Sequence, residues 1–375
     1  MRYTDSLLDA LRTEGDPPAD RLVAALAARG ELDDVSRLLT TLLQGDQAVP
    51  AELPPPVAAW VEATGRLPSW ANLRRLERGA AFFAEHGVLI SLVLATDGLI
   101  ECYAARKGVK VLAQTYRLAQ NPYRRIAETA QWVLLVMAPG GLGPGPGGQG
   151  IRATQKVRLM HAAIRYLIER RGGWDAPDLG VPINQEDMAG TLMAFSYIVV
   201  RDLRKLGVRV SDQEAEDFLY IWRAVGEMLG IRPSVMPVSM AEAAALTEAI
   251  FRRHHGPSPE GVLMTKALLD LHRQMLPGEL FDGIFPGLVR FWAGDQVADW
   301  LEVPQTPWEG VVERVSRVVG MGEAASARLG AAPTLLRLAA QRIGMAMLQA
   351  TAIAMTGYER ATFTIPTSLR SKWNL

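Results

Sequence analysis

A chain of 375 residues can bury roughly three quarters of the surface its unfolded form exposes, so a large core, or one core with an attached subdomain, is within reach. The composition is 49% hydrophobic and 21% charged, with 40 basic residues against 40 acidic ones, and this balance argues against nucleic acid or an anionic membrane as partner. The single cysteine, Cys102, excludes an internal disulfide and any cysteine-built zinc site or iron–sulfur cluster within one chain, which fits a reducing compartment.

The opening MRYTDSLLDALRTEGDPPADR has neither a basic stretch followed by an apolar core nor a twin arginine, so no export signal is expected and the expected location is cytoplasmic. Residues 1–48 predict two or three short helices, LVAALAARG and DDVSRLLTTLLQG among them. The proline-rich VPAELPPPV (49–57) then predicts either a semi-rigid connection to the main body or a segment packed across its surface. The chain is therefore expected to divide into an N-terminal helical segment, 1–57, and a main helical domain, 58–375. The most apolar run, GVLISLVLA (87–95), falls short of the roughly 20 residues a spanning helix needs, so no transmembrane segment is expected.

NPYRRIAETAQWVLLVMA (121–138) predicts a helix opened by Asn121-Pro122 and apolar nearly all round from Ile126, hence buried on both sides. Its first turns place Arg125, Glu128 and Thr129 at i, i+3 and i+4, a polar cluster that is costly in an apolar interior unless it is paired or used. One reading is an internal Arg125–Glu128 ion pair, worth a few tenths of a kcal/mol, about 0.3, when exposed. The other is a reaction pocket, with donors for a reacting oxygen species and a carboxylate as base. APGGLGPGPGGQG (138–150) is too rich in glycine and proline for a helix. It lacks the Gly-Lys-Ser/Thr ending of a phosphate-binding loop, and its prolines remove amide donors, so it reads as a connector between antiparallel helices.

KVRLMHAAIRYLIERR (156–171) predicts a second helix, with His161 between Arg158 and Arg165 on an otherwise aliphatic face. Burial and neighbouring positive charge both disfavour imidazolium, leaving a neutral ring able to ligate a metal. One histidine cannot build a zinc site, whereas haem iron needs a single protein ligand and the arginines can neutralise its propionates. The alternative is a core histidine whose arginines pair with acidic neighbours. Further on, DMAGTLMAFSYIVVRDLRKLG (187–207) reads as one helix with a buried stripe through Met188, Leu192, Phe195, Val199, Leu203 and Leu206. Beside that stripe, Ala189, Gly190, Ala194 and Ser196 leave room for a helix or a flat ligand. Ser211 with Glu214, and Ser239 with Glu242, predict capping boxes; Ser258-Pro259 marks another helix start, and Gly207 and Gly230 mark helix ends. Alternating strands joined by turn dipeptides are lacking, so the predicted class is all-α.

ECYAARKGVKVL, NPYRRIAETAQWVL, PGGLGPGPGGQG, KVRLMHAAIR, GVPINQEDMAGTLMAFS, SPEGVLMTKALLD and FTIPTSLRSKW together resemble the haem b-dependent oxygenases related to bacterial latex clearing protein (rubber oxygenase) and fungal MpaB. The resemblance covers most of residues 65–375, in that family's order. It implies an all-α, multi-helix, globin-like bundle enclosing one haem b, with His161 as axial iron ligand and Arg158 and Arg165 placed to hold propionates. Arg125 and Thr129 would face the open iron position. Asn184 and Asp187, in the PINQxD segment, read as cap residues or as residues supporting the haem site. Two departures stand out. Latex clearing protein carries a lysine able to cap the iron where this chain has Glu128, and residues 102–127 hold no acidic side chain where the family has a glutamate upstream of the arginine. The base role therefore passes to Glu128 or Glu101. The resemblance implies O2 and a hydrophobic, isoprenoid partner molecule; since a solid polymer cannot enter the cytoplasm, a smaller intracellular substrate is expected in place of rubber. A haem carrier or sensor without turnover, and a haem-free lipid-binding or scaffold protein, stay open as alternatives, as does the oligomeric state.

Overall fold

The computed structural model describes residues 2–30, 54–118, 123–143, 148–275 and 282–329, and within them every regular element is a helix. The extended pairing present there is an isolated bridge between Ala105 and His255. The all-α expectation therefore holds. DDVSRLLTTLLQG, Asn121-Pro122 and FTIPTSLRSKW lie outside the described residues.

A long helix, Leu73–Val93, runs through a π-helical segment, Leu94–Gly98, into Leu99–Ala104. Its closest partner is the helix Asp212–Met228, and the approach is possible because Gly79 has no side chain: a Cβ there would fall 2.6 Å from the Asp217 carbonyl and 2.8 Å from Ile221. Phe82, Phe83, Ile90, Phe218 and Trp222 fill the core between them, each worth about 1.5–3 kcal/mol when fully buried. Trp222 meets Trp132 edge-on at 5.7 Å between ring centroids, and Trp132 donates its indole N–H to Thr154 Oγ1 at 3.1 Å, joining the helices Tyr123–Met137 and Gln149–Arg171. The run GVLISLVLA belongs to a 32-residue helical stretch, Leu73–Ala104, long and apolar enough by composition to cross a membrane, with 56% of its most apolar window buried inside the protein.

The N-terminal helices Asp5–Arg12 and Pro17–Ala28 lie against the main body. Ala19, Leu22, Val23 and Leu26 share a hydrophobic cluster with Val57, Trp60 and Val61 and with Leu159, Ala162, Ala163 and Leu167 of the helix Gln149–Arg171. The end of the proline-rich segment is itself helical: Pro55–Thr64 starts on a proline, whose missing N–H costs nothing at that position. Residue 57, where the first segment was expected to end, lies in the first turn of this helix.

The stretch 187–207 is two helices, Gln185–Phe195 and Tyr197–Lys205, where one was expected. Ser196 breaks it at φ −118°, ψ −79°, with its hydroxyl donating back to the Leu192 carbonyl at 2.7 Å, a side-chain bond that competes with the helical ladder. The small residues serve helix packing: a Cβ on Gly190 would sit 3.3 Å from Ile250 of the helix Met240–His254. Ser211 and Glu214 form the predicted capping box. Ser239 accepts the Glu242 amide, but the Glu242 carboxylate turns to the Val238 amide at 2.9 Å, so that box is half made. The helix Pro259–Met275 starts as read, and Gly207 and Gly230 follow their helices with φ of +93° and +87°. Ser211→Ala is expected to cost about 1 kcal/mol, seen as a lower urea midpoint with unchanged slope; an unmoved midpoint would show the box to be idle.

Candidate functional site

His161 lies near the middle of the helix Gln149–Arg171, which packs on Pro17–Ala28 along one side and on Tyr123–Met137 along another. Its Nδ1 is buried and has no hydrogen-bond partner among the described residues. Burial, then the charges of Arg165 and Arg125, push the ring pKa down to about 3, so the imidazole is neutral at physiological pH. A buried polar nitrogen without a partner costs about 1–3 kcal/mol, a cost that persists only where the group is used or the surroundings fix it.

Arg125, Glu128 and Thr129 are brought to the same region. The Arg125 guanidinium donates to Thr115 Oγ1 at 2.6 Å and to the Leu112 carbonyl at 3.3 Å, both on the helix Val109–Leu118, while Thr129 Oγ1 donates to the Arg125 carbonyl at 2.9 Å. Burial lowers the Arg125 pKa, and the charge on the buried Glu128 opposes that shift. Cys102, Arg125 and His161 each keep partial accessibility although burial dominates the electrostatics of all three, pushing the Cys102 thiol up to about 12.

The two arginines flanking His161 reach acidic partners on the N-terminal residues. Arg158 grips Asp16 through Nε at 2.5 Å and Nη2 at 2.8 Å, and Arg165 reaches Asp20 Oδ1 at 2.9 Å and the carbonyls of Pro182 and Ile183. This is the acidic pairing weighed as the alternative for the arginines. Arg165 nevertheless keeps Nη2 buried and without a hydrogen bond. Asn184 caps the helix Gln185–Phe195, accepting the Asp187 amide at 2.9 Å. Asp187 pairs with Arg12 at 3.0 Å, and burial raises its pKa.

A second buried polar group went unread. Arg201 Nη2 contacts Asp97 Oδ2 at 2.5 Å and Glu101 Oε1 at 3.2 Å, and its Nε contacts Asp202 Oδ1 at 2.7 Å. His255 Nδ1 lies 3.5 Å from Glu101 Oε2. Burial raises Asp97 well above the ordinary carboxylate range and Glu101 to about 7, while burial drives His255 down to about 3. Asp97 sits in the π-helical segment, a distortion frequent at functional sites. The available signal was the i, i+4 spacing of Asp97 and Glu101 inside an apolar helix. Likewise missed was Glu186, fully buried and held by Arg12, Arg253 and His254.

Among the described residues no three histidine, cysteine or carboxylate side chains are placed to hold a free metal ion. The donor chemistry at His161, one neutral imidazole with a nitrogen unpartnered among the described residues, fits a single bond to iron held by a macrocycle.

The chain is similar to known proteins. Residues 84–357 match the family described as ER-bound oxygenase mpaB/B'/rubber oxygenase, catalytic domain. Over 304 residues the chain is 30% identical to the rubber oxygenase of Streptomyces sp. (strain K30), covering 80% of this chain and 72% of that protein. The structure of latex clearing protein in the closed state superposes with a TM-score of 0.74 at 26% identity, over 90% of each chain. His161, Arg125, Glu128 and Thr129 all fall inside the matched family region, whereas Asp16 and Asp20 precede it.

Proposed function

Since the chain belongs to the mpaB/B' and rubber oxygenase catalytic-domain family, we propose that it is a haem b-dependent oxygenase acting with O2 on a carbon–carbon double bond of a hydrophobic, isoprenoid substrate inside the cell. The observation that carries the haem assignment is His161: neutral, with a buried ring nitrogen that has no hydrogen-bond partner among the described residues. Bound there, haem b supplies the iron and the electrons for O2 activation.

The protein's own part is positioning and charge. His161 offers a lone pair that burial keeps unprotonated, and the unpartnered Nη2 of Arg165 is available to a propionate. Arg158, committed to Asp16, holds its helix in place. Arg125 and Thr129 present a cation and a hydroxyl to oxygen atoms carrying developing negative charge, in a dry site where such donors are worth most. Glu128, buried on the same helix, is assigned as acceptor of an allylic proton, with Glu101, another buried carboxylate, as the alternative base. Partly accessible Ile126, Leu134 and Ile164, on the two facing helices, suit an apolar substrate chain. The substrate assigned is a short polyisoprenoid rather than solid rubber.

The test is an absorption spectrum of purified protein followed by aerobic incubation of the reduced form with a polyisoprenoid. A Soret band and carbonyl-bearing cleavage products are expected. A band without products supports a carrier or sensor; no band supports the haem-free alternatives. Glu128→Gln is expected to keep the band and lower turnover at least about 100-fold. Full turnover in that variant, with loss in Glu101→Gln, transfers the base role to Glu101.

A further inference from the structure

We propose that the N-terminal residues 12–20 act as a positioning strap for His161, gripping its helix through Asp16 and Asp20 so that the imidazole is held at a fixed rotation and depth. This rests on the reading of His161 as the axial ligand and adds residues outside the matched region, 84–357.

Arg158 and Arg165 stand one turn before and one turn after His161 on the same side of the helix, about 10 Å apart along its axis. Two grips at that spacing fix rotation as well as height, which one grip cannot. Both pairs are removed from water on at least one side: side-chain exposure is 12% for Arg158 and 3% for Asp16, and 3% for Arg165 and 32% for Asp20. Each closes over a glycine. A Cβ on Gly230, at φ +87°, would fall 2.5 Å from Asp16 Oδ2 and 2.9 Å from Arg158 Nε, and one on Gly15 would fall 2.6 Å from Arg165 Nε.

The strap is tied down at its centre by Gln185. Its Nε2 donates to the carbonyls of Gly15, at 2.7 Å, and Gly230, at 2.9 Å, while its Oε1 accepts the Arg232 amide at 2.9 Å. Backbone bonds from Val181 N to the Arg12 carbonyl, 2.8 Å, and from Gln185 N to the Glu14 carbonyl, 2.9 Å, complete the seam. A segment needed only to cover apolar surface requires the contacts of Leu22, Val23 and Leu26; it does not require two ion pairs bracketing one histidine over two glycines.

The experiment compares full-length Asp16→Asn/Asp20→Asn with wild type and with a control, Asp5→Asn/Asp9→Asn. The control removes the pairs that the preceding helix, Asp5–Arg12, makes with Arg252 and Arg253 of the helix Met240–His254. Two readouts are taken: the ring resonances of isotopically labelled His161 in the protein as purified, and the rate of haem transfer to excess apomyoglobin. In the Asp16/Asp20 variant the ring signals are expected to shift and broaden and haem loss to accelerate about tenfold or more, the usual effect of losing an outer support of a metal ligand. The ferric/ferrous potential of the haem-loaded protein should also rise, because two negative charges paired with the helix of His161 are removed. Gly230→Ala, which wedges the Asp16 pair without altering charge, should speed haem loss without that rise. Unchanged ring signals and haem loss, or equal effects in the control, overturn the strap. A wild type with no Soret band overturns the haem reading alone, and the ring signals still decide the strap.

Discussion

His161→Ala is expected to yield a folded protein with no Soret band. The ring is the donor proposed for iron, and Arg125 and Arg165, the charges felt at that position, cannot replace it, because a guanidinium has no lone pair to give. The fold should survive. Removing the imidazole relieves the buried, unpartnered Nδ1, worth about 1–3 kcal/mol, while the space left costs a similar amount, so the thermal midpoint of the haem-free form should move little. Added imidazole should restore part of the band by occupying the vacated space. A purified variant with full haem occupancy would assign the iron bond elsewhere and remove the observation on which the oxygenase proposal stands.

Arg201→Leu is expected to destabilise the protein by about 3–5 kcal/mol near neutral pH, the usual consequence of leaving buried charges without their partner. Arg201 is shared by Asp97, Glu101 and Asp202, all almost fully buried. The pH dependence gives the cluster a signature. Glu101 is raised by burial from 4.5 to about 7, and Asp97 is raised also, so the native state holds protons that the unfolded state has released. Stability from these groups is therefore fully present below pH 4.5 and declines as pH rises towards 7. Without the arginine the folded pKa values climb further, and the decline extends to higher pH. Thermal unfolding at pH 5 and pH 8 should show a larger gap between variant and wild type at pH 8; equal gaps would mean the carboxylates relax to water when Arg201 is lost.

Helix identity, most helix ends and the presence of a histidine flanked by two arginines were legible in the residues alone. Ser211 with Glu214, Ser258 before Pro259, and Gly230 act over three or four residues, and the apolar spacing of the helix around His161 repeats at the same short range. The single cysteine and the balanced charge bounded the chemistry in the same way. The partners of those arginines were not legible. Asp16 lies 142 residues from Arg158 and Asp20 lies 145 from Arg165, so only the packing of the N-terminal helices brings them together. The same holds for the turn of Arg125 towards Thr115, for the gathering of Asp97, Glu101 and Asp202 on Arg201, and for the break at Ser196, where a local hydroxyl prevails over an unbroken apolar stripe. Local signals decide which segments are helical because hydrogen bonds and caps form between near neighbours. Which buried charge meets which is set by the burial of apolar surface over the whole chain, and that is the property only the tertiary structure holds.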